Sequence, residues 1–403
     1  MKKFLTLALC LAATGSICAQ KQVVDQASKL SGKNDKIGEA RSLIQQATEN
    51  EETKSDARTY YVGGKIEFDA FDNTYKKQMI NPNDPSINPL EMGEQLINGY
   101  NLFMKALPLD SVPNAKGEVK PKFSKDIASK IMGHYPDYFT AGGNFYNDKK
   151  YAEAYEAFMI HGLIPSLPFA TKEIKATPDS IVNMSFFNAG ISAWTGDDLE
   201  KSAFAFKCAR LNNSDNPQHY IQELACWQYL ANRDSTKVEP AKYAILEIAQ
   251  AGFDKFGMTQ PIFAINLVNS LVLENKTNEA LSSVSDMIEK NPDNASLYSL
   301  RGYVYDYIGS DDESVNDYRK AAEMPDADFS VLKEASKKIF KVGTQKWNNI
   351  EGASPAERQN VKENYFLYAK ELTNRAKALN DSDSELKYVI ENIDYALETY
   401  FNN

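Results

Sequence analysis

The sequence YFTAGGNFYNDKKYAEAYEAF, residues 138–158, predicts two short helices joined by a polar turn. Aromatic residues and alanines recur at helical spacing on both sides of Asn147 and Asp148, while Gly142 and Gly143 lie inside the first helix. A glycine on a helix surface leaves room for a side chain of a neighbouring helix. The stretch therefore indicates a hairpin of two closely packed antiparallel helices.

The same order of residues returns later in the chain, in residues 186–209 and 298–322, and a related pattern precedes the second of these. In each copy an aromatic residue comes four positions before a glycine, and a small residue and a second aromatic follow in the next helix. The positions that define the repeat are Tyr138, Gly142, Phe145, Ala154, Phe158, Gly190, Phe206, Ala209, Ala280, Pro292, Gly302, Tyr305, Tyr318 and Ala321. One hairpin cannot bury its apolar face alone, so the copies are expected to stack.

This pattern resembles the tetratricopeptide repeat (TPR) family, which has W-x2-L-G-x2-Y in a first helix and A-x3-F-x2-A in a second, followed by proline. The resemblance implies an all-α fold, an α-solenoid (a right-handed superhelix) of about eight TPR-like helical hairpins with loop insertions. The repeats are expected near residues 21–53, 56–111, 123–166, 183–214, 218–256, 261–292, 295–326 and 329–381, with a C-terminal capping helix at 385–401.

Turn-rich insertions interrupt several of these repeats. They are predicted at residues 74–89, which contain INPNDPSINP, and at residues 112–122, 164–180, 233–240 and 343–355. A lengthened helix with Pro136 inside it is expected after the second insertion. Insertions in solenoids lie on one face of the array, which is often the binding face.

The first nineteen residues differ from the rest of the chain. They carry two lysines directly after Met1, continue with an apolar run at residues 4–13 and end on the small-residue pattern S-I-C-A. That order is typical of a secretory signal peptide, so we predict cleavage after Ala19 and a single TPR-like α-solenoid over residues 20–403. A lipoprotein signal needs a small residue before its cysteine, whereas Ile17 precedes Cys18. We therefore expect a periplasmic or envelope-associated protein of a Gram-negative bacterium.

The charge of the chain argues against nucleic acid as a partner. The net charge is -10, and loss of the signal segment lowers it to -12, because that segment carries two lysines and no acid. Phosphate binding needs clustered lysine and arginine, and no such cluster is evident. After residue 19, no apolar run is long enough to span a membrane. Cys208 and Cys226 are interpreted as two buried small hydrophobic residues, with a disulfide between neighbouring helices as the alternative.

No pattern of catalytic or metal-ligating residues stands out. The three histidines, His134, His161 and His219, form no H-E-x-x-H motif, and a nucleophile elbow, a phosphate loop and a Cys-x-x-Cys pair are all missing from the sequence. His161 is interpreted as a packed interior residue, and the acidic run 311–313 as a solvated turn. We therefore predict no catalytic residue, no metal and no cofactor.

What remains is a surface for binding. The resemblance implies that positions 2, 5, 9 and 12 of each first helix line a concave groove, where Tyr138 counts as position 4. The residues at these positions are Phe139, Gly143, Tyr146, Met184, Phe187, Ile191, Trp194, Ile265, Asn269, Val272, Ser299, Tyr303 and Asp306. Position 5 holds no asparagine, which argues against the carboxylate clamp of some TPR co-chaperones. Alternatively, Phe187 and Trp194 are covered by the insertions.

Three functions are consistent with these observations. The first is a non-enzymatic protein–protein interaction scaffold that binds a protein or peptide in the groove. The second is a glycan-binding protein distantly similar to the SusD-type proteins, although those are normally lipidated and longer. The third, a hydrolase that uses scattered carboxylates, has the weakest support, because no carboxylate pair stands out.

Overall fold

The computed structural model describes residues 22–113 and 116–401, and the regular elements in those ranges are all helical. The predicted signal peptide, residues 1–19, lies outside the described residues. The chain divides into two compact units, one up to Arg233 and one from Asp234 onward. This boundary lies inside the predicted repeat 218–256.

The first unit is a series of helices in which neighbours along the chain pack side by side. Helix α3 pairs with α4, α6 with α7 and α9 with α10, and each pair contacts the helix that follows. The bounds are α1 22–30, α2 Ile37–Glu49, α3 Ala57–Ile80, α4 Pro89–Asp110, α5 Ser124–Gly133, α6 Tyr135–Asn147, α7 Tyr151–Leu163, α8 Lys172–Lys175, α9 Asp179–Thr195, α10 Leu199–Leu211 and α11 Pro217–Arg233.

The second unit follows the same plan. Helix α13 pairs with α14, α15 with α16 and α17 with α19, and α20 packs on α19. The bounds are α12 Val238–Phe256, α13 Pro261–Leu273, α14 Thr277–Lys290, α15 Ala295–Tyr307, α16 Asp311–Glu323, α17 Phe329–Asn348, α18 Pro355–Val361, a π-helix Lys362–Leu367, α19 Tyr368–Leu379 and α20 Ser384–Phe401. The fold is therefore all-α and built from TPR-like hairpins.

The glycine of each hairpin faces the aromatic ring of the second helix. A Cβ atom on Gly142 would lie 2.7 Å from the ring of Phe158, and one on Gly190 would lie 2.6 Å from the ring of Phe206. In the second unit the corresponding distance from Gly302 to the Tyr318 ring is 3.0 Å. The two helices of these hairpins are thus so close that the aromatic ring contacts the glycine backbone directly. An added Cβ atom has no room at this spacing.

In two hairpins the small residue near the start of the second helix is a serine, which donates a hydrogen bond to the packing glycine of the first helix. The Ser202 hydroxyl donates to the carbonyl oxygen of Gly190 at 2.9 Å, and the Ser314 hydroxyl donates to that of Gly302 at 2.8 Å. Both serines are fully buried. Since a buried hydroxyl without a partner is costly, this bond makes serine acceptable at a position where Ala154 stands in another repeat.

The polar turns of the hairpins share one backbone geometry. Lys149, Asp197, Asn275 and Gly309 all have φ between +59° and +78°, in the left-handed region. The next amide donates back across the turn, as Ser310 N does to Tyr305 O at 2.9 Å. This is the usual way to end a helix, since it satisfies carbonyl groups left without partners in the last turn.

Several predicted interruptions differ in the structure. Helix α3 continues to Ile80, so the predicted insertion 74–89 is helical over its first seven residues. The chain turns at His134, so Pro136 lies in the first turn of α6 instead of inside a lengthened helix. Proline is favoured there because the first turn needs no amide donor. Helix α17 continues through Gly343 to Asn348, because this glycine makes room for Tyr365, whose Cβ atom would lie 2.5 Å from an added Cβ.

A single carboxylate closes the insertion that follows α4. Asp110 accepts hydrogen bonds from the backbone amides of Lys122, Phe123 and Ser124 at 2.8–2.9 Å, and from the Ser124 hydroxyl. Burial acts to raise the pKa of Asp110, but these donors outweigh it and lower the pKa below its usual value. The insertion therefore starts and ends at one anchored point.

The adjacent glycines of α6 provide a test of the ring contact. We expect Gly142→Ala to lower the free energy of unfolding, because overpacking costs about 1–3 kcal/mol and offsets the gain in helix propensity. Gly143→Ala is the matched control, since no atom lies within 4 Å of its added Cβ. It should raise the free energy of unfolding by about 1 kcal/mol. Urea unfolding followed by circular dichroism measures both, and equal effects of the two changes would contradict the ring contact.

Candidate functional site

Three aromatic side chains occupy position 12 of the first helices in the first unit. Tyr146 lies on α6 and Trp194 on α9, and Tyr229 takes the same position on α11 when the repeat is counted from residue 218. We call these three residues the aromatic row. Tyr146 is 36% exposed and Tyr229 50% exposed, while Trp194 is half-buried. The row is thus a series of accessible rings, one for each repeat.

Each ring of the row is supported by another ring. Trp194 and Tyr229 meet edge to face, with ring centroids 5.3 Å apart and an interplanar angle of 87°. Tyr146 packs against Tyr151, with ring centroids 5.5 Å apart. Tyr151 also abuts the α9–α10 turn, where an added Cβ on Gly196 would lie 3.1 Å from the tyrosine Cβ. Edge contacts of this kind hold rings in place and leave a face or edge available.

Other predicted groove residues of the first unit serve mainly in packing. Phe187 and Ile191 lie against a small core formed by Ala203, Phe206 and Cys226, together with Trp194 and Trp227. Phe139 contacts the edges of Phe158 and His161, with ring centroids 5.2 and 5.3 Å apart. The cover over Phe187 comes in part from His219 of α11, whose ring centroid is 5.2 Å away. Gly143 has open space around it.

Two of the predicted residues line a polar cleft. Met184, which is 45% exposed, and Phe187 face a cavity of about 630 Å³ between the start of α9 and the segment after α10. The remaining lining residues are Asp179, Ser180, Asn183, Asn213, Ser214, Asp215, Asn216, Pro217 and His219. The cleft has an apolar patch on one side and amide and carboxylate groups around it.

In the second unit the predicted positions are used differently. Val272 is fully buried in the core, so its prediction as a groove residue is wrong; a neighbouring hairpin covers this position. Asp306 accepts from Lys338 at 2.6 Å and from Lys341 at 3.0 Å. Burial acts to raise the pKa of Asp306, but these lysines outweigh it and lower the pKa. Ile265 is exposed, and Asn269, Ser299 and Tyr303 are half-buried.

Sequence reasoning missed Tyr229, which completes the aromatic row. The signal is present in the sequence, because the predicted fifth repeat begins at residue 218 and position 12 then falls on Tyr229. It was overlooked because the weak repeat shows neither the glycine nor the aromatic that mark the strong ones. His219 and Trp227, which flank Phe187 and Trp194, were missed for the same reason.

His134 lies between two carboxylates at the turn from α5 to α6. Its Nε2 is 3.0 Å from Asp72 and its Nδ1 is 3.0 Å from Asp137. Burial acts to lower the pKa of His134, but the hydrogen bonds and charges of the two aspartates outweigh it and raise the pKa to about 8. The hydrogen bond from His134 lowers the pKa of Asp72 to about 2. His134 therefore ties α3 to α6 as an imidazolium.

The other two histidines are buried next to serine hydroxyls. His161 pairs with Ser185 at 2.7 Å and stacks on Tyr135 with centroids 4.2 Å apart, and His219 pairs with Ser214 at 2.6 Å. Burial lowers the pKa of both histidines to about 4, so both are neutral near pH 7. Each is a packed interior group with a hydrogen-bond partner.

The two cysteines and the first residue of the acidic run 311–313 have structural roles. Cys208 and Cys226 are free thiols, and burial raises the pKa of Cys226 to about 12. Asp311 pairs with Lys338 at 2.5 Å.

Within residues 22–113 and 116–401, no group of three or more histidine, cysteine or acidic side chains is placed to hold a metal ion. None of the helices described combines the length and apolarity that crossing a membrane requires.

Comparison with solved structures matches the chain to repeat proteins of low sequence identity. The TPR domain of P58(IPK) is 12% identical, with 96% of this chain and 100% of that chain covered and a TM-score of 0.28. Yeast Tom70 is 13% identical, with 94% and 89% covered and a TM-score of 0.31. The APC/C hetero-tetramer Cut9-Hcn1 is 11% identical, with 88% and 59% covered and a TM-score of 0.33.

No protein-family model and no curated protein sequence matches the chain. All three TM-scores are below 0.5. The TPR-like character of the hairpins therefore rests on their own contacts, namely the glycine–ring packing and the shared left-handed turn.

From the pKa shifts of the three histidines we expect the free energy of unfolding to be highest near pH 6.5. The raised pKa of His134 gives a contribution that is complete below pH 6.5 and lost as the pH rises through about 8, whereas His161 and His219 destabilise the fold as the pH falls towards 4. We expect about 2 kcal/mol of the free energy of unfolding to be lost between pH 6.5 and 9. Urea unfolding at several pH values measures this loss.

The variant His134→Gln isolates the alkaline part of this dependence. Its free energy of unfolding should change little from pH 6.5 to 9, while His161→Gln keeps the alkaline loss and reduces the acid one. An unchanged alkaline loss in His134→Gln would show that another group titrates.

Proposed function

We propose that this chain is a non-catalytic scaffold that binds a protein or peptide segment through the aromatic row, in the periplasm or envelope of a Gram-negative bacterium. The observation that carries the proposal is the recurrence of an accessible ring at the same position of three successive first helices, Tyr146, Trp194 and Tyr229. The location rests on the signal-like residues 1–19.

The chemistry of the row suits protein recognition. Tyrosine and tryptophan supply large contact areas with few rotatable bonds, and they dominate the energetic centres of protein interfaces. Since Trp194 is held by Tyr229, and Tyr146 by Tyr151, little side-chain freedom remains to be lost on binding. A partner segment with apolar side chains at the spacing of the repeats would meet one ring for each hairpin.

The absence of catalysis is part of the proposal and rests on the histidines. His161 and His219 are buried next to serines, and His134 is enclosed by two aspartates. His219 and Ser214 both line the polar cleft, but His219 is only 4% exposed and burial lowers its pKa to about 4. It is therefore a weaker base than general acid–base chemistry near pH 7 needs.

Site-specific photo-crosslinking in cells tests the proposal. A photoreactive phenylalanine analogue in place of Tyr229 is expected to form one defined adduct, recovered after osmotic shock on a chain that begins at Gln20. The same analogue at Tyr395 is the matched control, because this tyrosine is 67% exposed and belongs to α20 of the second unit. The adduct at position 229 should decrease when Tyr146 and Trp194 are changed to alanine.

Two results would contradict the proposal. Equal adducts at positions 229 and 395 would show that exposure alone determines capture. Recovery of an uncleaved chain only from the spheroplast fraction would contradict the location and leave the aromatic row as a separate question. Circular dichroism of the alanine variants checks that the helices are retained.

Glycan binding is the second candidate, and the polar cleft favours it. Asn183, Asn213 and Asn216 line this cleft beside Met184 and Phe187. Amide groups bond sugar hydroxyls, and an apolar side chain covers the face of a sugar ring. A glycan array should then give a signal that Phe187→Ala and Asn216→Ala reduce and that Tyr229→Ala does not. An array without signal removes this candidate.

A further inference from the structure

A second cleft of about 760 Å³ lies between α2 and α4, above α3. It shares no lining residue with the aromatic row or with the polar cleft. Its lining residues are Arg41, Ile44, Gln45, Thr48, Tyr60, Gly63, Ile66, Glu67, Asn98, Asn101, Leu102 and Lys105. Most of these side chains carry hydrogen-bonding groups, so the cleft is suited to a polar ligand.

The floor of this cleft depends on one glycine. An added Cβ on Gly63 would lie 2.9 Å from Ile44 of α2 and 3.2 Å from Leu102 of α4. The two side chains therefore meet over the bare backbone of α3 and form an apolar floor. Above them the polar side chains of α2 and α4 stand as two walls.

The α4 wall presents two amides and one ammonium group. Asn98, Asn101 and Lys105 follow each other at helical spacing on one face, and all three residues are exposed. Their side chains form no hydrogen bond or ion pair with any other residue in the described ranges. The stripe is about 10 Å long, which equals the length of about three residues of extended chain.

The α2 wall adds charge that is already balanced. Arg41 binds Glu67 through two hydrogen bonds of 2.7 Å, and Glu67 is the carboxylate among the lining residues. Gln45 and Thr48 continue the wall beyond Arg41. Because Arg41 and Glu67 cancel, Lys105 leaves the cleft with one positive charge in a chain whose net charge is -10.

We propose that this cleft binds an extended peptide segment that carries an acidic side chain. An asparagine amide both donates and accepts, so Asn98 and Asn101 can pair with the alternating N–H and C=O groups of an extended backbone. Lys105 then receives the carboxylate, and a charge-assisted bond of this kind is stronger than a neutral one. The cleft shares no residue with the aromatic row. Its proposed occupant carries an acidic side chain, whereas the segment proposed for the row carries apolar ones.

Two labelled peptides test this site in fluorescence anisotropy titrations of the full chain. One alternates alanine and glutamate, so that a carboxylate is available in any register, and the other has glutamine in place of glutamate. Lys105→Ala should weaken the glutamate peptide about tenfold and leave the glutamine peptide nearly unchanged. Asn101→Ala should weaken both peptides about fivefold, because it acts on the backbone.

Lys377→Ala is the control for the loss of one positive charge, since Lys377 is exposed on α19 of the other unit. It should leave both affinities unchanged. If the wild-type chain binds neither peptide, or if Lys377→Ala weakens the glutamate peptide as much as Lys105→Ala does, the proposed site is wrong. The substituted side chains are exposed, so circular dichroism should show the same helix content in each variant.

Discussion

The contact of an aromatic ring with a glycine backbone is the constraint on which the rest of the structure depends. It occurs inside hairpins, as in Gly190 with Phe206, and also between successive hairpins, where Gly162 receives the ring of Phe186. In the pair α3 and α4 the contact is reciprocal, since Gly64 meets Phe103 and Gly99 meets Phe68. Closely packed interiors tolerate little change in volume, so these contacts determine how near the helices lie.

Buried ion pairs add specificity to this packing. Arg210 of α10 and Glu223 of α11 are joined by two hydrogen bonds of 2.7 and 3.1 Å, and both side chains are almost fully buried. Such a pair contributes little net stability, because desolvation offsets the attraction, but a shifted pairing would leave a charge buried without a partner. The pair therefore determines where α11 lies against α10, and with it the position of Tyr229 next to Trp194.

Hairpins could be predicted from the sequence where glycine and aromatic residues recur together, as at Gly142 and Phe158. Prediction was poorer where the covering group comes from a distant part of the chain. Lys338, which pairs with Asp306, lies 32 residues further along the chain, and periodicity identifies the face of a helix without identifying its neighbour. The same limit explains Val272 and Gly343. A glycine can signal a break or a close contact, and only the position of Tyr365 decides between them.

The two units use position 12 of the first helix for different purposes. In the repeats that carry the packing glycine, this position follows the glycine by one helical turn and lies just before the hairpin turn, as Tyr146, Trp194 and Asp306 do. In the third, fourth and fifth repeats of the first unit it carries the rings of Tyr146, Trp194 and Tyr229, which reach solvent. In the second unit Val272 is buried and Asp306 is bound by lysines. One repeat geometry thus leaves position 12 accessible in three successive repeats of the first unit, whereas the second unit uses the same position in its own packing and ion pairs.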